Sequence, residues 1–217
     1  MIVDLLRRAS ADDAPLIVLI TNKGDEGDQV LYELDKTDHA PYSLLAVTPS
    51  LWYSDLSPWR AHKMSMFQSD FSGGADIFLK KLTETIVPSA CEGNGLKPSA
   101  IYITGYSLAG LFALYSLYKT DFFAGCASCS GSLWFPGFFD FVHENKFAVS
   151  SPKIYLSLGD REAQTKNPMM SLVEDNTRGI AEHYEFKGYN VLFEMNQGGH
   201  LNGPCWRTAK GITWLLK

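Results

Sequence analysis

Six short runs along the chain carry apolar residues at consecutive rather than alternate positions. They are PLIVLI (15–20), YSLLAVT (42–48), AIYITG (100–105), FAGCASC (123–129), KIYLSLG (153–159) and VLFEMN (191–196). Runs of this kind predict strands covered on both faces, as in a parallel sheet layered by helices. Between them the apolar spacing lengthens and predicts helices over 27–36, 73–91, 108–119, 136–145, 170–187 and 204–217. In the second, Ile77, Leu79, Leu82 and Ile86 read as the buried stripe, and the last opens at Pro204, a residue suited to a first helical turn. Strict alternation of strand and helix implies right-handed crossovers, and hence an α/β chain with a mostly parallel sheet and helices on both faces.

One connection breaks the rhythm. Positions Pro49 to Ser72 form 24 residues without clear periodicity, and they carry Trp52, Tyr53, Trp59, Phe67 and Phe71. An aperiodic connection of this length is usually functional or disordered, and so many aromatics argue against disorder. The segment 49–72 is therefore expected to act as a lid or pocket wall. Phe67 and Phe71 are expected to anchor it.

Length and charge narrow the function. The 217 residues fit a single domain, 1–217, large enough to bury a substantial core. A net charge of −5 provides no basic field for phosphate backbones, so nucleic acid is not expected as a partner. The longest aliphatic run, Leu16 to Ile20, is far below the ~20 residues of a spanning helix, so no membrane partner is expected either. In MIVDLLRRASADDAP the arginines follow the apolar residues, the reverse of a secretory signal, and the chain reads as cytoplasmic. Cys91, Cys126, Cys129 and Cys205 show no disulfide-framework spacing, which fits that reading. The CASC run (126–129) lies on a predicted strand, where side chains three apart point to opposite faces, so structural thiols are expected rather than a redox pair.

The candidate chemistry begins at IYITGYSLAG (101–110), where a buried strand ends in a glycine and a serine and a helix follows at once. A nucleophile is raised above a sheet by such a turn only if the residues two positions either side are small, and here they are Gly105 and Ala109. The usual G-x-S-x-G is thus G-x-S-x-A. The following helix offers its positive end to Ser107, and the Leu108 N–H is a natural oxyanion donor. Alone, the match is weak, because a serine that merely caps the helix would look the same.

A serine nucleophile requires a base and an orienting acid, in the chain order serine, acid, histidine. Asp160 and Glu162 follow the strand candidate KIYLSLG, and His200 follows VLFEMN in a glycine-rich loop. All three positions lie beyond C-terminal strand ends, where open α/β sheets place their sites. His39, His62, His143 and His183 show no metal-ligand spacing, and no metal site is expected.

At GYSLAG, DLSPW (55–59), GDRE (159–162) and GGH (198–200) the chain resembles the α/β-hydrolases, in the esterase branch that includes esterase D, feruloyl esterases and ferric-siderophore esterases. The resemblance runs from about Pro15 to the end. It implies a three-layer α/β-hydrolase fold, Ser107 as nucleophile, His200 as general base and acid, and an acid after the fifth strand run. Members often carry that acid as the glutamate of G-x-x-E, which places Glu162 ahead of Asp160. It also implies a small-molecule ester as substrate and no cofactor.

The chain departs from the branch in two places. At most IVDLL precedes the first strand candidate, so the N-terminal hairpin is reduced or absent. The loop after PLIVLI reads TNKGDEGD without the His-Gly pair of many esterases, which leaves the backbone of Asn22 or Lys23 as the expected second oxyanion donor.

Trp59 and Trp134 are candidate substrate contacts, with Phe135 alongside Trp134 in SGSLWF (130–135), although core packing suits each equally. Lys23, Arg60 and Lys63 lie in loops where they would face an anionic ligand such as a siderophore, the plainer reading being solvated surface charge. The residues do not separate an esterase from an acyltransferase on the same fold. A non-catalytic binding module is the reading from outside catalysis.

Overall fold

The structure, a computed structural model, describes residues 1–22, 24–62 and 69–217. The strands are β1 (Ile2–Arg7), β2 (Leu16–Ile20), β3 (Ser43–Thr48), β4 (Arg60–Ala61), β5 (Phe71–Ser72), β6 (Ile101–Tyr106), β7 (Gly125–Cys129), β8 (Lys153–Gly159) and β9 (Asn190–Asn196). The α-helices are α1 (Glu26–Leu34), α2 (Trp52–Asp55), α3 (Ala75–Lys81), α4 (Val87–Asn94), α5 (Leu108–Lys119), α6 (Phe138–Glu144), α7 (Val173–Phe186) and α8 (Pro204–Leu215). Seven strands form the main sheet in the order β1-β3-β2-β6-β7-β8-β9, and all pairings are parallel except that of β1 with β3. This is the expected α/β architecture.

The strand pattern accounts for the layers. Leu16, Val18 and Ile20 point into one core with α3, α5, α6 and α7, while Ile17 and Leu19 point into the other with α1 and α8. All five residues of β2 are buried, as a central strand with two covered faces requires. The cysteines of the CASC run divide likewise, Cys126 into the first core and Cys129 to the opposite face, and all four cysteines are free thiols.

Several expectations change in detail. Ahead of the first strand candidate, Ile2–Arg7 form β1, an edge strand antiparallel to β3 with Ile2 and Val3 exposed. The 73–91 helix is an α–π–α sequence over 75–94, with the π turn at Leu82–Ile86 just before Pro88, which has no N–H to continue the α-helical ladder. Ile77 is 80% exposed, so the buried stripe is Ala75, Phe78, Leu79, Leu82 and Ile86. The 49–72 segment holds α2 and the small β4–β5 pair. Phe67 and Lys63 lie outside the described residues, as does Lys23.

Among the described residues no helix is long and apolar enough to cross a membrane.

Candidate active site

Chain order reverses across the sheet between β2 and β6, and parallel α/β sheets open a crevice at such a point beyond their C-terminal strand ends. The loop after β2 and the turn after β6 border it here. The turn puts Ser107 at φ 58°, ψ −119°, a conformation rare for any residue with a Cβ. Its N–H donates to the Cys129 carbonyl at 3.1 Å, and its carbonyl accepts from the N–H groups of Leu111 and Ser132 at 3.1 and 3.0 Å. The surrounding backbone thus holds the strained residue in place.

The Ser107 hydroxyl makes no capping bond to α5. Instead Oγ lies 3.0 Å from His200 Nε2, and 3.4 Å from Ser132 Oγ. His200 Nδ1 in turn lies 2.6 Å from Glu162 Oε2. The His200 side chain is 36% exposed and that of Glu162 only 3%, so the chain of contacts runs from the cavity surface into the protein.

Glu162 is held by both oxygens. Oε1 accepts from the Gly159 N–H at 2.7 Å, Ser130 Oγ at 2.8 Å and Arg207 Nη1 at 2.7 Å, leaving Oε2 to His200. Burial pushes its carboxyl up. The hydrogen bond and charge of His200, with hydrogen bonds from Ser130 and Gly159, outweigh this and hold the carboxyl below its ordinary value.

Asp160 is placed differently: Oδ1 accepts from the Gly198 N–H at 2.7 Å, and half of its side chain is exposed beside Arg161. It braces the loop that carries His200.

Ser107 and His200 open onto a cavity of about 500 Å³. Trp52, Tyr53, Phe71 and Trp134 form its aromatic wall, and Asn22, Asp25 and Glu26 its polar one. Leu108, directly after Ser107, lies on this lining, and so does Phe71, which also packs on Trp134 and Phe135. The Asn22 N–H donates to Glu26 Oε2 at 2.6 Å. Among the described residues the lining contains acidic side chains but no lysine or arginine, and Arg60 is exposed on β4 away from it.

Trp59 corrects an expectation. It packs among Tyr115, Phe135, Phe138 and Phe141 and donates Nε1–H to the Pro136 carbonyl at 2.8 Å, so it braces the pocket segment from behind. This half-buried indole packs against the core with its N–H satisfied by the chain itself, and it is not on the cavity lining. Phe135, 1% exposed, is likewise core.

Three contributors escaped the sequence reading. Ser130 sits at positive φ, 44°, at the tip of β7. Tyr106 Oη donates to the His200 carbonyl at 2.6 Å. Arg207 is fully buried on α8. A signal for the last was available, since an arginine one turn before Gly211 and Ile212 stands on the apolar face of its helix.

No family model matches the chain. A curated relative, the uncharacterized protein YbbA of Bacillus subtilis, is 23% identical over 180 residues, covering 79% of this chain and 72% of its own. Among solved structures, an IroE-like serine hydrolase from Shewanella oneidensis superposes with TM-score 0.81 at 17% identity, covering 99% of this chain and 74% of that one. The siderophore hydrolase EstA from Aspergillus nidulans gives 0.72 at 18% identity, over 95% and 84% of the two chains. The enterobactin esterase FES from Shigella flexneri gives 0.68 at 18%, over 93% and 52%. The chain has the α/β-hydrolase fold.

Proposed function

We propose that the protein is a serine hydrolase that cleaves carboxylic esters through an acyl-enzyme. The observation that carries this reading is the unbroken contact chain Ser107 Oγ–His200 Nε2–Glu162 Oε2, at 3.0 and 2.6 Å, on the wall of an aromatic-lined cavity. His200 takes the Ser107 proton as Oγ attacks the ester carbonyl, then passes it to the departing alcohol. Water, deprotonated by His200, releases the acid in the second half. Glu162 orients the imidazole and stabilises its charged form.

The oxyanion forms at the N-terminal end of α5, where the Leu108 N–H is the first donor. The Asn22 N–H is the second in this reading, and it must exchange the Glu26 carboxylate for the substrate oxygen. The aromatic wall favours a small or aromatic ester. Four free thiols support a reducing compartment such as the cytoplasm.

Two measurements test the reading together: turnover of short p-nitrophenyl esters, and covalent labelling by a fluorophosphonate probe. The wild type is expected to do both and Ser107→Ala neither. Folded wild-type protein inert in both would overturn the proposal. An alcohol added as competing acceptor separates hydrolysis from acyl transfer by its product.

A further inference from the structure

We propose that Arg207 is a positioning residue of this site: one buried guanidinium ties the carboxylate of Glu162 to the loop carrying His200 and fixes the pair's geometry and charge. The inference rests on the esterase reading above.

Its contacts come from both sides. Nη1 donates to Glu162 Oε1 at 2.7 Å and shares its other hydrogen between Ser130 Oγ at 3.0 Å and Tyr106 Oη at 3.2 Å. Nη2 donates to the carbonyls of Gln197 at 3.2 Å and Gly199 at 3.1 Å, the second immediately before His200. Tyr106, itself bonded to Arg207, holds the His200 carbonyl. Acid and base thus hang from one group that touches neither substrate nor Ser107.

The local sequence leaves space for it. A Cβ on Gly159 would lie 2.3 Å from the Gly198 carbonyl oxygen and 2.8 and 2.9 Å from the two guanidinium nitrogens, so a side chain there would displace the arginine. Arg207 is 0% exposed. A wholly buried ion pair is a poor route to stability compared with an apolar residue of similar volume, which points to a role in placing the groups it touches.

Two consequences follow for the chemistry. With Oε1 occupied by three donors, the carboxylate is locked with Oε2 toward His200. When His200 accepts the Ser107 proton, the cation faces a carboxylate whose charge is shared with Arg207, and removing the guanidinium would leave that charge to His200 alone. The other ionisable groups facing this cluster are Tyr106 from β6, Cys129, whose Sγ donates to the Arg207 carbonyl, and Asp160, which holds the Gly198 N–H.

The experiment compares wild type, Arg207→Gln and Arg207→Lys by kcat and KM on p-nitrophenyl acetate and by the pH dependence of fluorophosphonate labelling. Arg207→Gln is expected to lower kcat about tenfold or more with KM little changed, and to move the acid limb of the labelling profile up by about one pH unit. Arg207→Lys is expected to keep that limb in place and recover part of kcat, since it restores the charge without the two carbonyl contacts. Folded Arg207→Gln with wild-type kcat and acid limb overturns the inference. Should Arg207→Gln not fold, Arg207→Lys decides: reduced kcat with an unmoved limb supports it, and wild-type kcat overturns it. Wild-type protein that neither labels nor turns over refutes the esterase reading instead.

Discussion

Gly105 and Ala109 meet across the turn at Ser107 with no room for another atom: a Cβ on Gly105 would lie 2.5 Å from the Ala109 methyl and 2.7 Å from its carbonyl carbon. Gly105→Ala must therefore push β6 and α5 apart where Ser107 is displayed. We expect a loss of about 1–3 kcal/mol in stability and a larger proportional loss in kcat, from denaturant titration and ester turnover on one preparation.

In the proposed mechanism, Ser107→Ala removes the nucleophile and His200→Ala its base. Ester turnover should fall by about a thousandfold or more in each, with the melting midpoint almost unchanged. Retained turnover in either would place the chemistry elsewhere.

Glu162→Gln and Asp160→Asn divide the two carboxylates. The amide at 162 is uncharged and presents a donor on one arm, so it cannot hold the His200 Nδ1–H as the carboxylate does. It should cost about a hundredfold or more in kcat/KM. Asp160→Asn keeps an oxygen for the Gly198 N–H and should cost less than about tenfold. Steady-state kinetics on both variants reads the difference.

The depressed Glu162 carboxyl links folding to pH with a definite sign. Its native proton affinity lies below the unfolded value near 4.5, so its contribution to stability is present above that pH and is lost as the pH falls through the lower native value. Urea midpoints should decline more steeply on acidification below about pH 4.5 in wild type than in Glu162→Gln. Equal slopes would contradict the assignment.

The thiols supply a check on packing. Burial pushes Cys126 far up and Cys129 to about 12. Burial and the nearby Glu26, Glu33 and Asp25 raise Cys205 to about 11. Iodoacetamide at pH 8 should leave Cys126 and Cys129 unmodified until denaturant is added, as read by mass spectrometry.

Much of this was legible in the sequence because it depends on local pattern. Consecutive apolar positions identified β2, β3, β6, β7 and β8, since central parallel strands bury both faces, and they also picked out β9, which closes the sheet as a half-buried edge strand. Edge strand β1 escaped as a strand candidate because Ile2, Val3 and Asp4 are all exposed there. Ile77 was misassigned because the apolar stripe runs through its neighbour Phe78. Ser107, His200 and the pair Asp160 and Glu162 could be proposed from order and strand ends, and the G-x-x-E resemblance ranked Glu162 first. Arg207 reaches them from the last helix through contacts that cross 45 residues to Glu162 and 101 to Tyr106, which no local pattern encodes. Trp59 stood in the aromatic segment, yet its contacts with Phe135, Phe138 and Phe141 depend on how that segment folds back.

The place of β7 in the sheet limits how this site can vary. Ser107 follows β6 and Glu162 follows β8, so the two residues are two strand spacings apart, roughly 10 Å, with the tip of β7 between them. That tip is Ser130, Gly131 and Ser132, three of the smallest residues in the chain. A bulkier side chain there would stand in the path that His200 bridges. Trp52 and Tyr53 line the cavity from the segment after β3, so this side of the aromatic wall belongs to a different part of the chain from the small residues at the β7 tip.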